Sequence, residues 1–173
     1  MHNFDHLVYR GIRFTLDSLN ETHSKVIQEL EIRGSTNSVK NLQMIRLQKA
    51  ILALGMFSLF ESTLQTGLKC ENGFKEAKKI LVATGQGDLI DRFQLFIAAI
   101  NVLKHGRGRA YDFLVEKFES LPFRIKLPRE NFFFEGDVSE ISTLIEVDDM
   151  FVLNCAQLIE DVSNVIRRKY SDY

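Results

Sequence analysis

Neither sign of charge dominates this sequence: 22 lysines and arginines stand against 23 aspartates and glutamates, a formal net charge of −1 over 173 residues. A global field able to hold the chain on nucleic acid is excluded, so contact with RNA or DNA has to come from a local patch. Cysteine is scarce. Cys70 and Cys155 have no metal-like spacing and no neighbouring histidine, which excludes a cysteine metal site and leaves two reduced, packed thiols as the expectation. No glycine-rich phosphate loop follows a strand, and there is no nucleophile elbow. No cluster of His, Cys, Asp and Glu has ligand spacing. These absences remove the sequence grounds for a metal- or cofactor-dependent enzyme, and no cofactor is expected. The longest apolar run, Ala50 to Phe60, is interrupted by Gly55 and Ser58 and is too short to span a bilayer. The opening Met-His-Asn-Phe-Asp lacks a basic stretch followed by an apolar one, so a cytoplasmic protein with no membrane role is expected.

What is present is apolar residue at helical spacing. With 45% of residues apolar, the chain has material for one core and reads as a single domain over 1–173. Phe4, Val8, Ile12, Leu16, Leu19, Val26, Ile27 and Leu30 mark one long first helix, or two joined near Asn20, stopped by Gly34. A second helix, capped by Asn37 or Ser38 and ending near Leu68, is apolar on most faces between Ile51 and Leu64. It is therefore expected to be the central helix around which the others pack. Glu61 is the single charge in that stretch.

A short third helix, Phe74 to Val82, turns Lys75, Lys78 and Lys79 outward. The fourth, capped by Asp88, runs from Leu89 to His105 and ends at Gly106 and Gly108; a fifth runs from Arg109 to Leu121 before Pro122. Residues 122–147 lose the helical period and read as a loop-rich insertion with a small β-hairpin, in which Thr143 to Val147 can pair with either Phe123 to Leu127 or the β-prone Asn131 to Phe134. Asp148 and Asp149 open the last helix, with its stripe at Phe151, Cys155, Leu158, Ile159, Val162 and Ile166. The fold class is all-α, an up-and-down bundle of about five or six helices.

The fourth helix carries the chemistry. Gln94, Ala98, Asn101 and His105 fall within about 40° of one another, while nearly every other direction is apolar. Lys104 adjoins His105, and Arg107 and Arg109 follow in the turn, so phosphate is the natural counterpart.

The segment Phe96-Ile-Ala-Ala-Ile-Asn101-Val-Leu-Lys104-His105-Gly106 resembles the third-helix motif of the HEPN superfamily, small all-α proteins that often act as metal-independent ribonucleases. In that motif an arginine and a following polar residue precede a histidine. Asn101 and His105 match the polar residue and the histidine, but Ile100 stands where the arginine belongs. Leu54-Gly-Met-Phe-Ser-Leu-Phe60-Glu61-Ser62-Thr-Leu64 also resembles the central HEPN helix, in which a carboxylate often faces the histidine helix.

The resemblance implies an endoribonuclease acting as a toxin or defence effector on RNA, with His105, Asn101, Lys104 and Glu61 as catalytic residues. Lys104, Arg107 and Arg109 would hold the phosphate. It also implies a homodimer and an antitoxin or other regulatory protein as partner. The alternative is a catalytically inactive helical module that uses the same face to bind a nucleotide or a protein.

Each of these residues also has a plainer role to be weighed. A histidine or lysine at a helix C-terminus is favoured by the helix dipole alone. Glu61 can pair with a neighbouring cation, the lysine face of the third helix can simply be solvated, and Phe132, Phe133 and Phe134 can pack locally. From its nearly continuous apolar surface, the fourth helix is expected to face its mate in a symmetric dimer.

Overall fold

The computed structural model describes residues 4–170. Six helices follow in order: α1 (Phe4–Arg33), α2 (Thr36–Leu68), α3 (Gly73–Ala83), α4 (Gly87–His105), α5 (Arg109–Val115) and α6 (Asp149–Lys169), with a 3₁₀ turn at Phe118–Ser120. The all-α class holds. α1 is continuous through Asn20 rather than two helices, since no glycine, proline or cap signal there interrupts its i→i+4 ladder.

Helix starts are where sequence and structure differ. Ser35, not Asn37 or Ser38, caps α2 by accepting from the Ser38 amide. Gln86 precedes α4 without a side-chain cap, and Asp88 lies inside the first turn, where its charge complements the helix dipole. Asp148 caps α6 as expected, accepting from the Phe151 amide at 2.7 Å. α5 is shorter than its apolar spacing suggested: its ladder ends at Val115, and the chain tightens into the 3₁₀ turn before Pro122.

α1, α2 and α6 pack against one another, and α3 and α4 close the core against α2 and α6. Phe60 touches Phe4, Phe74 and Phe93, while Phe96, Phe123 and Phe151 form a second aromatic group. α2 is thus central, but not on all faces. Met44, Leu47, Ile51 and Leu59 remain exposed along one side of it.

The α2–α3 connection depends on a glycine. A Cβ at Gly73 would lie 2.7 Å from the Glu61 carbonyl oxygen and 2.7 Å from the Leu64 Cβ. Both obstacles belong to the packed central helix, so Gly73→Ala must push α3 outward. The expected cost is about 1–3 kcal/mol, measured by urea unfolding.

The insertion is less β-like and better anchored than its sequence suggests. Its only pairing among the described residues is the bridge between Ile125 and Ile145, with Lys126 N–H on Leu144 O and Glu146 N–H on Arg124 O. Residues 131–134 form no strand. Instead, a nearly buried Lys126–Glu140 pair (3.0 Å) sits at its centre, and Glu140 also accepts from the amides of Phe133 and Phe134. The Lys126 ammonium lies 4.5 Å from the Phe133 ring centroid.

These carboxylates set the acid limit of the fold. Burial raises the proton affinity of Glu140, but the Phe134 and Phe133 amides and Lys126 outweigh it and hold the group below its ordinary 4.5. Asp137 is likewise held below 3.8 against burial, by Ser139 and Arg46, and Asp149 by Lys49 and Asn20. Stability from such groups is complete above the ordinary values and is lost as pH falls through the lowered ones. Glu146, raised mainly by burial, works in the opposite sense. Asp5 and the exposed Glu21 are lowered as well, so with Glu146 alone raised among these carboxylates Tm should fall as pH drops below about 4, in thermal melts from pH 6 to pH 3.

Candidate functional site

α4 ends where its sequence runs out of apolar residues. Val102 is the last buried position, Leu103 is half-buried, and Lys104 and His105 are exposed in the final turn. Gly106 then adopts φ +72°, which a side chain would strain, and its amide closes the helix on Val102 O at 2.8 Å. The chain reverses through Arg107 and Gly108 into α5.

That turn collects cations. Lys104, His105, Arg107 and Arg109 are all exposed, and Arg129 joins them from the insertion, because Arg107 donates to the neighbouring Pro128 carbonyl at 3.4 Å. The Arg107 guanidinium also lies 5.7 Å from the Tyr111 ring centroid. Tyr111 in turn donates its hydroxyl hydrogen to Lys126 O at 2.8 Å, fastening α5 to the insertion. None of these five residues forms an ion pair with a carboxylate among the described residues. Asp112 and Glu130 lie near enough to act on Tyr111 together with Arg107, but cations without a direct carboxylate contact can take an anion without first breaking an ion pair.

Asn101 shares the His105 face of α4 and is half-buried. Ile100, at the position of the motif arginine, is a core residue with 2% exposure. Glu61 lies elsewhere. Its neighbour Phe60 packs on Phe93, and at about 1.5 Å per residue His105 is about 18 Å farther along α4. The Glu61 backbone also borders Gly73, at the opposite end of α4 from the basic turn. The structure therefore gathers His105, Lys104, Arg107 and Arg109, places Asn101 one helical turn inward, and leaves Glu61 apart.

Arg129 was missed in the sequence because only the fold brings the Pro128 loop to the turn. A second unanticipated cluster joins Asp5, His6 and Glu160, whose candidate ligand atoms lie within 4.8 Å of one another. Both Asp5 oxygens are already engaged by Arg167, at 2.8 and 2.6 Å, so this cluster reads as a clamp between α1 and α6. A third charged hollow lies between α2 and the insertion and is lined by His23, Arg46, Lys49, Glu140 and Glu146. Its principal charges are paired within the protein: Arg46 with Asp137, Lys49 with Asp149, and Glu140 with Lys126. On the lysine face of α3, Lys79 pairs with Glu76, as a solvated helix face does.

No family model, curated protein or solved structure matches this chain.

Proposed function

We propose that this protein binds RNA through the basic turn that closes α4, as a HEPN-like endoribonuclease acting as a toxin or defence effector. The observation that carries the reading is the exposed group Lys104, His105, Arg107, Arg109 and Arg129, with no carboxylate partner among the described residues. In this reading Lys104 and the three arginines neutralise a phosphodiester. His105 is the residue of the group suited to moving a proton.

The reaction would be attack of a ribose 2′-hydroxyl on its own phosphorus, breaking the bond to the 5′ oxygen of the next nucleotide. His105 would take the hydroxyl proton, and a proton would be returned to the departing oxygen. The products would be a cyclic 2′,3′-phosphate and a 5′-hydroxyl. Asn101 would orient the site from one turn inward. The resemblance further suggests a regulatory partner such as an antitoxin.

A second reading, a non-cleaving module that binds a nucleotide or a protein with the same face, is favoured by two observations. Ile100 is locked in the core where the motif calls for arginine, and Glu61 is remote from His105. Both readings require the turn to bind phosphate, if the protein reading is set aside, and salt dependence tests that requirement.

For a short single-stranded RNA, log affinity should fall with log salt, with each phosphate contact contributing a slope of about 0.7. Lys104→Ala and Arg109→Ala should each reduce the slope by about that amount across unrelated sequences. A slope unchanged by both substitutions would place RNA elsewhere, and absence of RNA binding would leave protein recognition as the surviving function.

A further inference from the structure

We propose that a hollow in the insertion, next to the basic turn, is a nucleobase pocket that prefers an amino-bearing base, adenine above all, to uracil. This inference rests on the RNA reading and deepens it, by naming the part of the nucleotide that the insertion takes.

The hollow has a volume of about 260 Å³, and Phe132, Asn131, Ser142 and Thr143 line it. Pockets for drug-sized ligands run from about 300 to 1,000 Å³, so this one suits a single ring system. The chain leads to it directly from the turn. Arg107 holds the Pro128 carbonyl, Arg129 follows, and Phe132 is three residues farther on. The Arg129 and Phe132 Cα atoms are therefore at most about 11 Å apart. A phosphate at Arg129 and a base at Phe132 can belong to one nucleotide or to adjacent ones.

The three phenylalanines of this loop are used differently. Phe133 is half-buried under the Lys126 ammonium, and Phe134 lies 4.5 Å from the Arg124 guanidinium. Phe132 makes no aromatic or cation contact among the described residues and is 55% exposed at the hollow. An open aromatic face beside a group of cations is the pairing on which unpaired bases stack.

Charge assigns the two parts of the nucleotide. Lys126, the cation lining the hollow, is already paired with Glu140, and the other charged lining residue is Glu130. No cation is free there for a phosphate, so the hollow suits the uncharged base while the turn takes the anion.

Hydrogen bonding sets the preference. The side chains of Asn131, Ser142 and Thr143 make no hydrogen bond among the described residues, so their donors and acceptors are available. One Glu130 oxygen accepts from the Leu127 amide at 2.8 Å, which leaves the other to accept from a ligand. An asparagine amide pairs bidentately with N6 and N7 of adenine, and a carboxylate accepts from an exocyclic amine. Uracil presents a carbonyl oxygen in place of that amine, so Glu130 disfavours it.

The test compares two labelled RNA hexamers, hexauridylate and the same strand with adenosine third, by fluorescence anisotropy with the intact chain at several salt concentrations. The strands carry the same phosphates and differ in one base. The adenosine strand should bind about 5- to 150-fold more tightly. Phe132→Ala should weaken its binding by about 5- to 150-fold at each salt concentration and leave the salt slope unchanged, while Phe132→Tyr should bind as the wild type does. Asn131→Ala should reduce the preference between the strands. Both positions are exposed, so circular dichroism should not change. Should Phe132→Ala lose helicity, the Asn131→Ala preference decides.

Equal affinity of the wild type for the two strands overturns the proposal, as does wild-type affinity in a folded Phe132→Ala. These outcomes are read at fixed salt, whereas the turn is read from the slope. A slope lowered by Lys104→Ala and Arg109→Ala, with no effect of Phe132→Ala, keeps the RNA reading and removes the pocket. A Phe132→Ala loss with slopes untouched by those two substitutions keeps the pocket and removes the turn. Failure of both strands to bind overturns both.

Discussion

Replacing His105 with alanine is expected to lower chelator-resistant RNA cleavage by about 10²–10⁴-fold, the range for loss of a positioned proton-transfer group. Folding should hardly change. His105 is exposed, makes no hydrogen bond or ion pair among the described contacts, and contributes at most a favourable interaction with the α4 dipole. Losing that interaction costs about 0.3–1 kcal/mol. Lost cleavage with retained melting therefore separates chemistry from capping, and cleavage products ending in cyclic phosphate would identify the reaction. Equal cleavage by wild type and variant would remove His105 from the mechanism. The converse substitution, Ile100→Arg, is expected to unfold the protein rather than restore a motif, because it would force a guanidinium into the core.

A large but measurable stability effect is expected at the clamp between α1 and α6. The Asp5 side chain is fully buried, and Arg167 donates to both its oxygens while also reaching Asn164. Burial raises the proton affinity of Asp5, but the hydrogen bond and charge of Arg167 outweigh it and hold the carboxyl below 3.8. Arg167→Ala strands that carboxylate and should cost about 3 kcal/mol. For a chain of this size the corresponding loss is about 6–12 °C in Tm. Replacing both partners, Asp5→Leu with Arg167→Met, should recover much of the loss, because no buried charge is then left alone. A loss below about 1 kcal/mol for Arg167→Ala would mean that the pair contributes little to joining the two ends of the chain.

Helix number, order and approximate extent were legible because each helix writes its own 3.6-residue stripe and most ends carry a local stop. α6 is the clearest case: Asp148 caps it, apolar residues recur through Ile166, and basic residues close it. Helix starts were less legible where cap-forming residues crowd together. Ser35, Thr36, Asn37 and Ser38 are all chemically able to cap α2, and the choice falls to the residue whose backbone is extended, Ser35. At α4, Gly85 (φ +70°) lets the chain turn early, so Asp88 is already helical.

Non-local arrangements were not legible. The anchoring of the insertion rests on Lys126 meeting Glu140, and no local pattern encodes that pairing. The separation of Glu61 from His105 follows from α2 and α4 running antiparallel, a property of topology rather than of either motif. Apolar residues on most faces of α2 suggested the central helix around which the others pack, yet composition cannot distinguish a face covered by the same chain from one left open. The basic turn was readable in part, since Lys104, His105, Arg107 and Arg109 are neighbours in sequence, whereas Arg129 arrives only through the Arg107–Pro128 contact.

Photocrosslinking of a short thiouridine-containing RNA, followed by mass spectrometry of the joined peptides, tests the central claim most directly. The account predicts crosslinks confined to the end of α4 and its turn, Asn101 to Tyr111, and to the loop around Arg129. Crosslinks concentrated on the α3 lysines or on the outer face of α1 and α2, with none at the basic turn, would contradict it.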